Sequence, residues 1–142
     1  MEASEQTFTV KLANQLDELE NIRVILKKLL ADWAIPPSVE FPLNVALEEV
    51  FTNVVKYAFT DGENHEIELR FRKFKNRLEL ILSDDGRPYD PTTKPEPDTT
   101  LPAKDRPVGG LGVFLVKKVM DKVEYQRVND KNHLILTKNL EK

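Results

Sequence analysis

The sequence predicts an α+β fold in which one sheet carries its helices on one face. Three observations support this. Short segments near both ends and in the middle alternate apolar and polar residues, the period of a half-buried strand. Two longer segments place apolar residues three and four apart, the period of an amphipathic helix. The elements run β-α-α-β-β-loop-α-β-β, with no internal repeat and no linker between separate cores, an order that suits one sheet layered against helices. At 142 residues the chain has the size of one domain, and about 70% of the unfolded surface can be buried at this length. We therefore expect residues 1–142 to form a single domain.

Taken in order, Thr7-Phe8-Thr9-Val10-Lys11-Leu12 alternates and is β-prone. Residues 16 to 34 carry Leu16, Leu19, Ile22, Ile25, Leu26, Leu29, Leu30 and Trp33 at helical spacing, and Pro36-Pro37 is expected to stop that helix. A second helix is expected from Phe41 to Ala58, with Pro42 tolerated in its first turn. Asp61-Gly62-Glu63-Asn64 reads as a turn. Ile67, Leu69 and Phe71 then alternate with charged residues, Lys75-Asn76 reads as a hairpin turn, and Leu78, Leu80 and Leu82 lead a second strand to Asp84. Residues 85 to 108 read as a long loop holding Pro88, Pro91, Pro95, Pro97, Pro102 and Pro107. A loop of that length in a compact domain is usually a functional lid or disordered. Leu111 to Met120 reads as a glycine-led helix, followed by strands over Val123–Val128 and Leu134–Lys138.

Three constellations carry chemistry. Glu49 and Asn53 stand four apart on the second predicted helix, so both project from one face. Asn is a poor mid-helix residue, and Val50, Phe51, Val54 and Val55 crowd it. A carboxamide oxygen suits Mg²⁺, and a carboxylate one turn away can take a proton from a hydroxyl or water. Glu48 is the competing carboxylate, rotated by about 100° from Glu49. Taken alone, Glu-x-x-x-Asn is more often an exposed polar pair. The second constellation, Asp84-Asp85-Gly86, closes a strand with a carboxylate that can accept a hydrogen bond from an exocyclic amine. Gly86 allows a flat ring to come close. The same residues also make an ordinary strand-to-loop turn. The third is Arg106-Pro107-Val108-Gly109-Gly110-Leu111-Gly112, glycines that lead into a helix and offer backbone N–H groups to an anion. It is neither a Walker A nor a Gly-x-Gly-x-x-Gly after a strand, and a flexible hinge reads equally well. Arg106 or Lys104 could add positive charge at a phosphate.

Other features point elsewhere or nowhere. Net charge is −3, no footprint for nucleic acid over the whole chain. A basic hairpin, Arg70 to Arg77 with Phe71 and Phe74 interleaved, fits a wet strand face or a protein-binding edge better than a nucleic-acid platform. His65 and His133 have no metal-ligand cluster around them. There is no cysteine, which excludes disulfides and thiolate zinc. No signal peptide and no membrane-spanning run is seen, so a cytoplasmic protein is expected.

The order and spacing of the three constellations resemble the GHKL ATPase superfamily, which includes DNA gyrase, Hsp90, MutL and histidine kinases. Within it the chain is most similar to the small bacterial anti-sigma-factor serine kinases. The likeness runs from about Thr7 to Lys138, with Val113 to Asp121 especially close to that subgroup. The resemblance implies a two-layer α/β sandwich over a mixed, mainly antiparallel sheet. It implies ATP or ADP and Mg²⁺ as ligands. Asn53 would bind magnesium and Glu49 would be the catalytic base. Asp84 would read the adenine amino group, with Gly86 beside the ring. Arg106, Gly109, Gly110, Leu111 and Gly112 would line the phosphates, and a lid would span about 87–108. It also implies two protein partners, a STAS-type anti-anti-sigma factor and a sigma factor, and a possible homodimer. Neither direct nucleic-acid binding nor membrane association follows.

The chain departs from the family in three places. Asn132-His133 stands where many members have Gly-Thr. Lys56 stands near a common histidine. Asp-x-Gly continues as Arg-Pro-Tyr-Asp-Pro. Besides the kinase, the sequence admits two further readings. One is a nucleotide-dependent binding module without catalysis. The other is the ATPase half of a split histidine kinase, which would need its phosphoacceptor in trans.

Overall fold

The structure is a computed structural model and describes residues 4–59, 61–93 and 110–140. Strand β1 spans Gln6–Ala13, helix α1 Glu18–Asp32, helix α2 Glu40–Tyr57, strands β2 Glu66–Lys73 and β3 Arg77–Asp84, helix α3 Gly110–Val119, and strands β4 Lys122–Val128 and β5 Lys131–Asn139. The sheet order is β1-β2-β3-β5-β4. Every pairing is antiparallel, so the mainly antiparallel sheet expected from the sequence has no parallel strand among the described residues.

The alternation seen in the sequence is the cause of the layering. Ile67, Leu69 and Phe71 of β2 and Leu78, Leu80 and Leu82 of β3 are 0 to 2% exposed and meet the apolar stripes of α1 and α2 in one core. Each such side chain contributes about 1.5–3 kcal/mol on burial. The opposite residues, such as Glu68, Arg70 and Arg72, form the outer face. Phe71 and Phe74 are both buried, and the guanidinium of Arg77 lies 3.8 Å from the Phe74 ring centre. The aromatic residues of the basic hairpin therefore belong to the packing, with a cation held over one of them.

Two turns are built differently from the simplest sequence expectation. Helix α1 ends at Asp32, before the prolines. Ala34 takes a left-handed φ of 53°, Ile35 N–H donates to Leu30 at 2.9 Å, and Ala34 N–H donates to Ala31 at 3.3 Å. That is a Schellman stop, with buried Ile35 supplying its apolar contact. The prolines come afterwards and open a short 3-10 turn at Pro37–Val39. Between β4 and β5, Asn129 and Asp130 both have positive φ, 54° and 61°. This is the two-residue geometry whose twist matches a hairpin. It lets β5 start at Lys131, three residues before the expected Leu134, and so brings Asn132 into register with Asp84 at the end of β3.

Candidate functional site

Helix α2 carries a buried polar group on an otherwise apolar stretch. Val50, Phe51 and Val54 are buried, as expected for its core face, and Asn53 among them is only 6% exposed. The carboxamide of Asn53 makes no hydrogen bond among the described residues, and its nitrogen is wholly enclosed. An amide left that way costs about 1–3 kcal/mol. One turn earlier Glu49 is half-buried, while Glu48 is exposed.

Strand β3 ends in a second buried polar group. Asp84 is 5% exposed. Its Oδ1 accepts from the Gly86 N–H at 2.9 Å and from Asn132 Nδ2 at 3.0 Å. Burial pushes the Asp84 carboxyl above its ordinary pKa. The hydrogen bonds from Asn132 and Gly86 act against that rise, as does the Arg127 charge, and the neighbouring Asp85 charge adds to it.

Asn53 and Asp84 reach one cavity. Val50, Val54 and Leu82 supply apolar wall, and Tyr89, Tyr125 and Asn132 close it. Its volume is about 20 Å³, room for roughly one water. Glu49 is not among the residues that line it. A wider hollow of about 350 Å³ lies beside Asp84, among Lys11, Glu66, Glu68 and Lys131, with Ser83 bonded to His133 Nδ1 at 2.7 Å. That hollow is open and of mixed charge. The small cavity pairs apolar walls with two convergent polar groups, the composition a flat heteroaromatic ring needs.

Gly86 has a structural task of its own. A Cβ placed on it would lie 2.4 Å from the Ala58 carbonyl oxygen. The next residue ties this loop to the end of α2, since Arg87 N–H donates to Ala58 O at 2.9 Å and Arg87 Nε to Tyr57 O at 2.7 Å. The absent side chain is thus required for the loop to pack on the helix end, a close approach that only glycine allows.

The start of the expected lid is also anchored. Pro91–Thr93 forms a 3-10 turn, and Lys117 Nζ of α3 donates to Thr92 O at 2.8 Å. Residues 94–108 of the lid, with Lys104, Arg106 and the following Gly109, lie outside the described residues. Gly110, Leu111 and Gly112 form the first turn of α3. His65 makes an ion pair with Asp61 at 2.9 Å and stacks on Phe59. Among the described residues no group of three His, Cys, Asp or Glu is placed to hold a metal, and no helix is long and apolar enough to cross a membrane.

Sequence reasoning did not assign Asn132, Tyr125 or Arg127 to the site. Asn132 is only 4% exposed and hydrogen-bonds to five other residues around the cavity. The Asn-Asp turn before β5 was the available signal, because it sets the register that places Asn132 opposite Asp84.

Residues 12–138 match the family described as the histidine kinase-like ATPase domain. The chain is 35% identical over 97 residues to the serine/threonine-protein kinase BtrW of Bordetella bronchiseptica, covering 68% of each chain. It is 40% identical over 90 residues to the serine-protein kinase RsbW of Bacillus pumilus and 36% identical over 88 residues to that of Bacillus subtilis. Those two matches take in 59% of this chain and only 56% and 55% of the relatives. Among solved structures, the RsbU and RsbW domains of a Mycobacterium tuberculosis protein superpose with a TM-score of 0.66 at 12% identity, covering 96% of this chain and 33% of that one. The Acinetobacter baumannii histidine kinase AdeS gives 0.54 at 11% identity, covering 89% and 74%.

Proposed function

This chain belongs to the histidine kinase-like ATPase family, alongside its serine/threonine-protein kinases, and from that premise we propose that it is an ATP- and Mg²⁺-dependent serine kinase and anti-sigma factor. The observation that carries the reading is the pair of buried polar groups facing one apolar cavity. Asp84 offers an acceptor for the adenine amino group, and the enclosed carboxamide nitrogen of Asn53 has no partner among the described residues. A buried amide without a partner calls for a water, ion or ligand to satisfy it. The donor set fits magnesium, because a carboxamide oxygen is a hard ligand and such an ion takes its remaining ligands from water and phosphates. Held by Asn53, the ion would neutralise charge developing on the phosphate oxygens.

The chain's own residues account for the rest. The apolar walls Val50, Val54 and Leu82 would face the purine. The glycine-led start of α3 would hold phosphates on backbone N–H groups. Glu49 is the general base. The serine oxygen attacks the γ-phosphorus, the bond to the leaving ADP oxygen breaks, and Glu49 accepts the hydroxyl proton. Residues 1–142 are one such ATPase domain, with 87–108 as its lid. The phosphorylated partner is a small STAS-type protein. The competing partner is a sigma factor, with nucleotide state biasing the choice between them.

The test is phosphate transfer from Mg-ATP to the cognate STAS protein. Wild type should label one serine, and Glu49→Gln should slow the transfer by about 10²- to 10⁴-fold. No transfer, or transfer indifferent to Glu49→Gln, overturns the kinase. The absence of Glu49 from the cavity wall favours one second reading, a nucleotide-dependent binding module without chemistry. Tight ATP binding with no Glu49-dependent turnover would select it.

A further inference from the structure

We propose that His65 is a proton-operated tie at the edge of the candidate site: its imidazolium bridges Asp61, which follows α2, and Asp85, in the loop that carries Gly86, and loss of the proton releases that loop. The tie rests on the geometry of the cluster itself, and its effect on nucleotide rests on the nucleotide-site reading above. His65 is fixed in place by its backbone. Its N–H donates to Asn14 Oδ1 at 3.1 Å, and its carbonyl accepts from the Asn14 N–H at 3.1 Å. The ring stacks on Phe59, with 4.3 Å between centres and 12° between planes. Held this way, each ring nitrogen meets a carboxylate. Nε2 lies 2.9 Å from both oxygens of Asp61, and Nδ1 lies 3.5 Å from Asp85 Oδ1.

A neutral imidazole has one N–H and one lone pair, so it can serve only one of these carboxylates. The nearer Asp61 keeps the N–H, and the lone pair on Nδ1 is then set against the Asp85 oxygen. Only the imidazolium donates to both. The other charged or titratable groups around the same hollow are Lys11 of β1, Glu66 and Glu68 of β2, Asp84 of β3, and Lys131 and His133 of β5. Two lysines face three carboxylates there, beside Asp61 and Asp85, so the surroundings favour a cation at residue 65. The hydrogen bond to Asp61 raises the His65 pKa above its ordinary value, burial opposes the rise, and the charges of Asp61 and Asp85 add to it.

Asp85 passes the effect to the loop. It directly precedes Gly86, whose N–H holds Asp84 Oδ1 at 2.9 Å and whose bare Cα lets the loop press on Ala58. With His65 charged, Asp85 is drawn toward the 61–65 segment, and the loop is held from that side as well as by the Arg87 bonds to Tyr57 and Ala58. With His65 neutral, that second hold is gone. Because the His65 pKa is raised in the folded protein, the tie is fully present below the ordinary value of 6.5 and is lost as pH rises through the folded value.

Two measurements on the whole chain test this, each at about pH 6 and about pH 8.5, on either side of the transition. Hydrogen exchange of the Arg87 amide, which donates to Ala58 O, follows the loop without nucleotide. Its protection in wild type should fall by about two- to five-fold at the higher pH, the worth of one exposed ion pair. Calorimetry with Mg-ATP should show an affinity loss of similar size, beyond any loss in His65→Gln over the same interval. That variant lacks the titrating ring and retains His133 and the same nucleotide, so it isolates the contribution of His65. Its Arg87 protection should not change between the two pH values. Asp85→Asn keeps the ring but removes the carboxylate facing Nδ1, so it should flatten both steps too, and it carries the test if His65→Gln does not fold. If His65 merely packs on Phe59, His65→Gln lowers protection and affinity equally at both pH values and the wild-type step persists in it, which overturns the proposal. A wild type with no step in Arg87 protection overturns it as well. Wild type that binds no nucleotide removes the nucleotide-site reading instead, and the exchange measurement alone then decides the tie.

Discussion

Replacing Asn53 with leucine should make the protein more stable while removing its magnesium-dependent nucleotide binding. Leucine has the branching of asparagine without the polar ends. The enclosed amide nitrogen has no partner among the described residues, and relieving that desolvation is worth about 1–3 kcal/mol. Leucine is also the better helix residue by about 0.5 kcal/mol. Its extra bulk works the other way, and the cavity of about 20 Å³ beside it takes up part of that volume. The net expectation is a gain of about 1–2 kcal/mol, or roughly 3–8 °C in Tm for a chain of this size. Urea unfolding without nucleotide measures it, through a raised midpoint at unchanged slope. Adding Mg-ATP should then raise the midpoint of wild type by more than ATP with EDTA does, and raise that of the variant equally little in both. A variant that unfolds earlier than wild type at the same slope would refute the reasoning, because it would mean that the amide is satisfied inside the protein.

Three more outcomes follow from the same geometry. Gly86→Ala brings a Cβ to 2.4 Å from Ala58 O, so the loop must move by more than half an ångström; we expect about 2–4 kcal/mol of destabilisation in urea from overpacking and strained loop hydrogen bonds, with weaker ATP binding. Because burial raises the Asp84 pKa in the folded protein, folding favours the protonated form there, and the stability it lends below the unfolded carboxyl pKa is lost as pH rises through the folded value; Asp84→Asn should remove that pH dependence and be more stable than wild type at pH 7, while losing ATP, and an unchanged stability–pH profile would contradict this. Ala34→Gly relieves a residue held at φ 53° and should stabilise by about 1 kcal/mol, read as a higher thermal midpoint; a lower midpoint would refute the Schellman account of how α1 ends.

Local pattern carried much of the architecture and little of the site's wiring. Leu78, Leu80 and Leu82 alternate, so their strand and its buried face are legible from adjacent residues. Helix α2 was legible from its apolar spacing, and the oddness of Asn53 was visible because its neighbours are apolar. Three things needed distant contacts. The end of α1 depends on Ala34 accepting a left-handed conformation, which an alanine does not advertise. The role of Gly86 depends on the end of α2 lying against it, and no spacing in the chain reveals that. The bond from Asn132 to Asp84 spans 48 residues and joins strands that are not consecutive in the chain. Its position looked like a departure from the family pattern, and only the β3–β5 register turns that departure into a part of the site.

In the proposed mechanism Asn53 and Asp84 belong to one nucleotide site, the first toward a metal-bound phosphate and the second toward the base. The most direct measurement is a calorimetric titration of ATP, with Mg²⁺ and with EDTA, into wild type, Asn53→Ala and Asp84→Ala. Wild type is predicted to bind more tightly with Mg²⁺, Asn53→Ala to lose that difference, and Asp84→Ala to lose ATP under both conditions. Variants that bind ATP as wild type does, with the same response to Mg²⁺, would contradict the account.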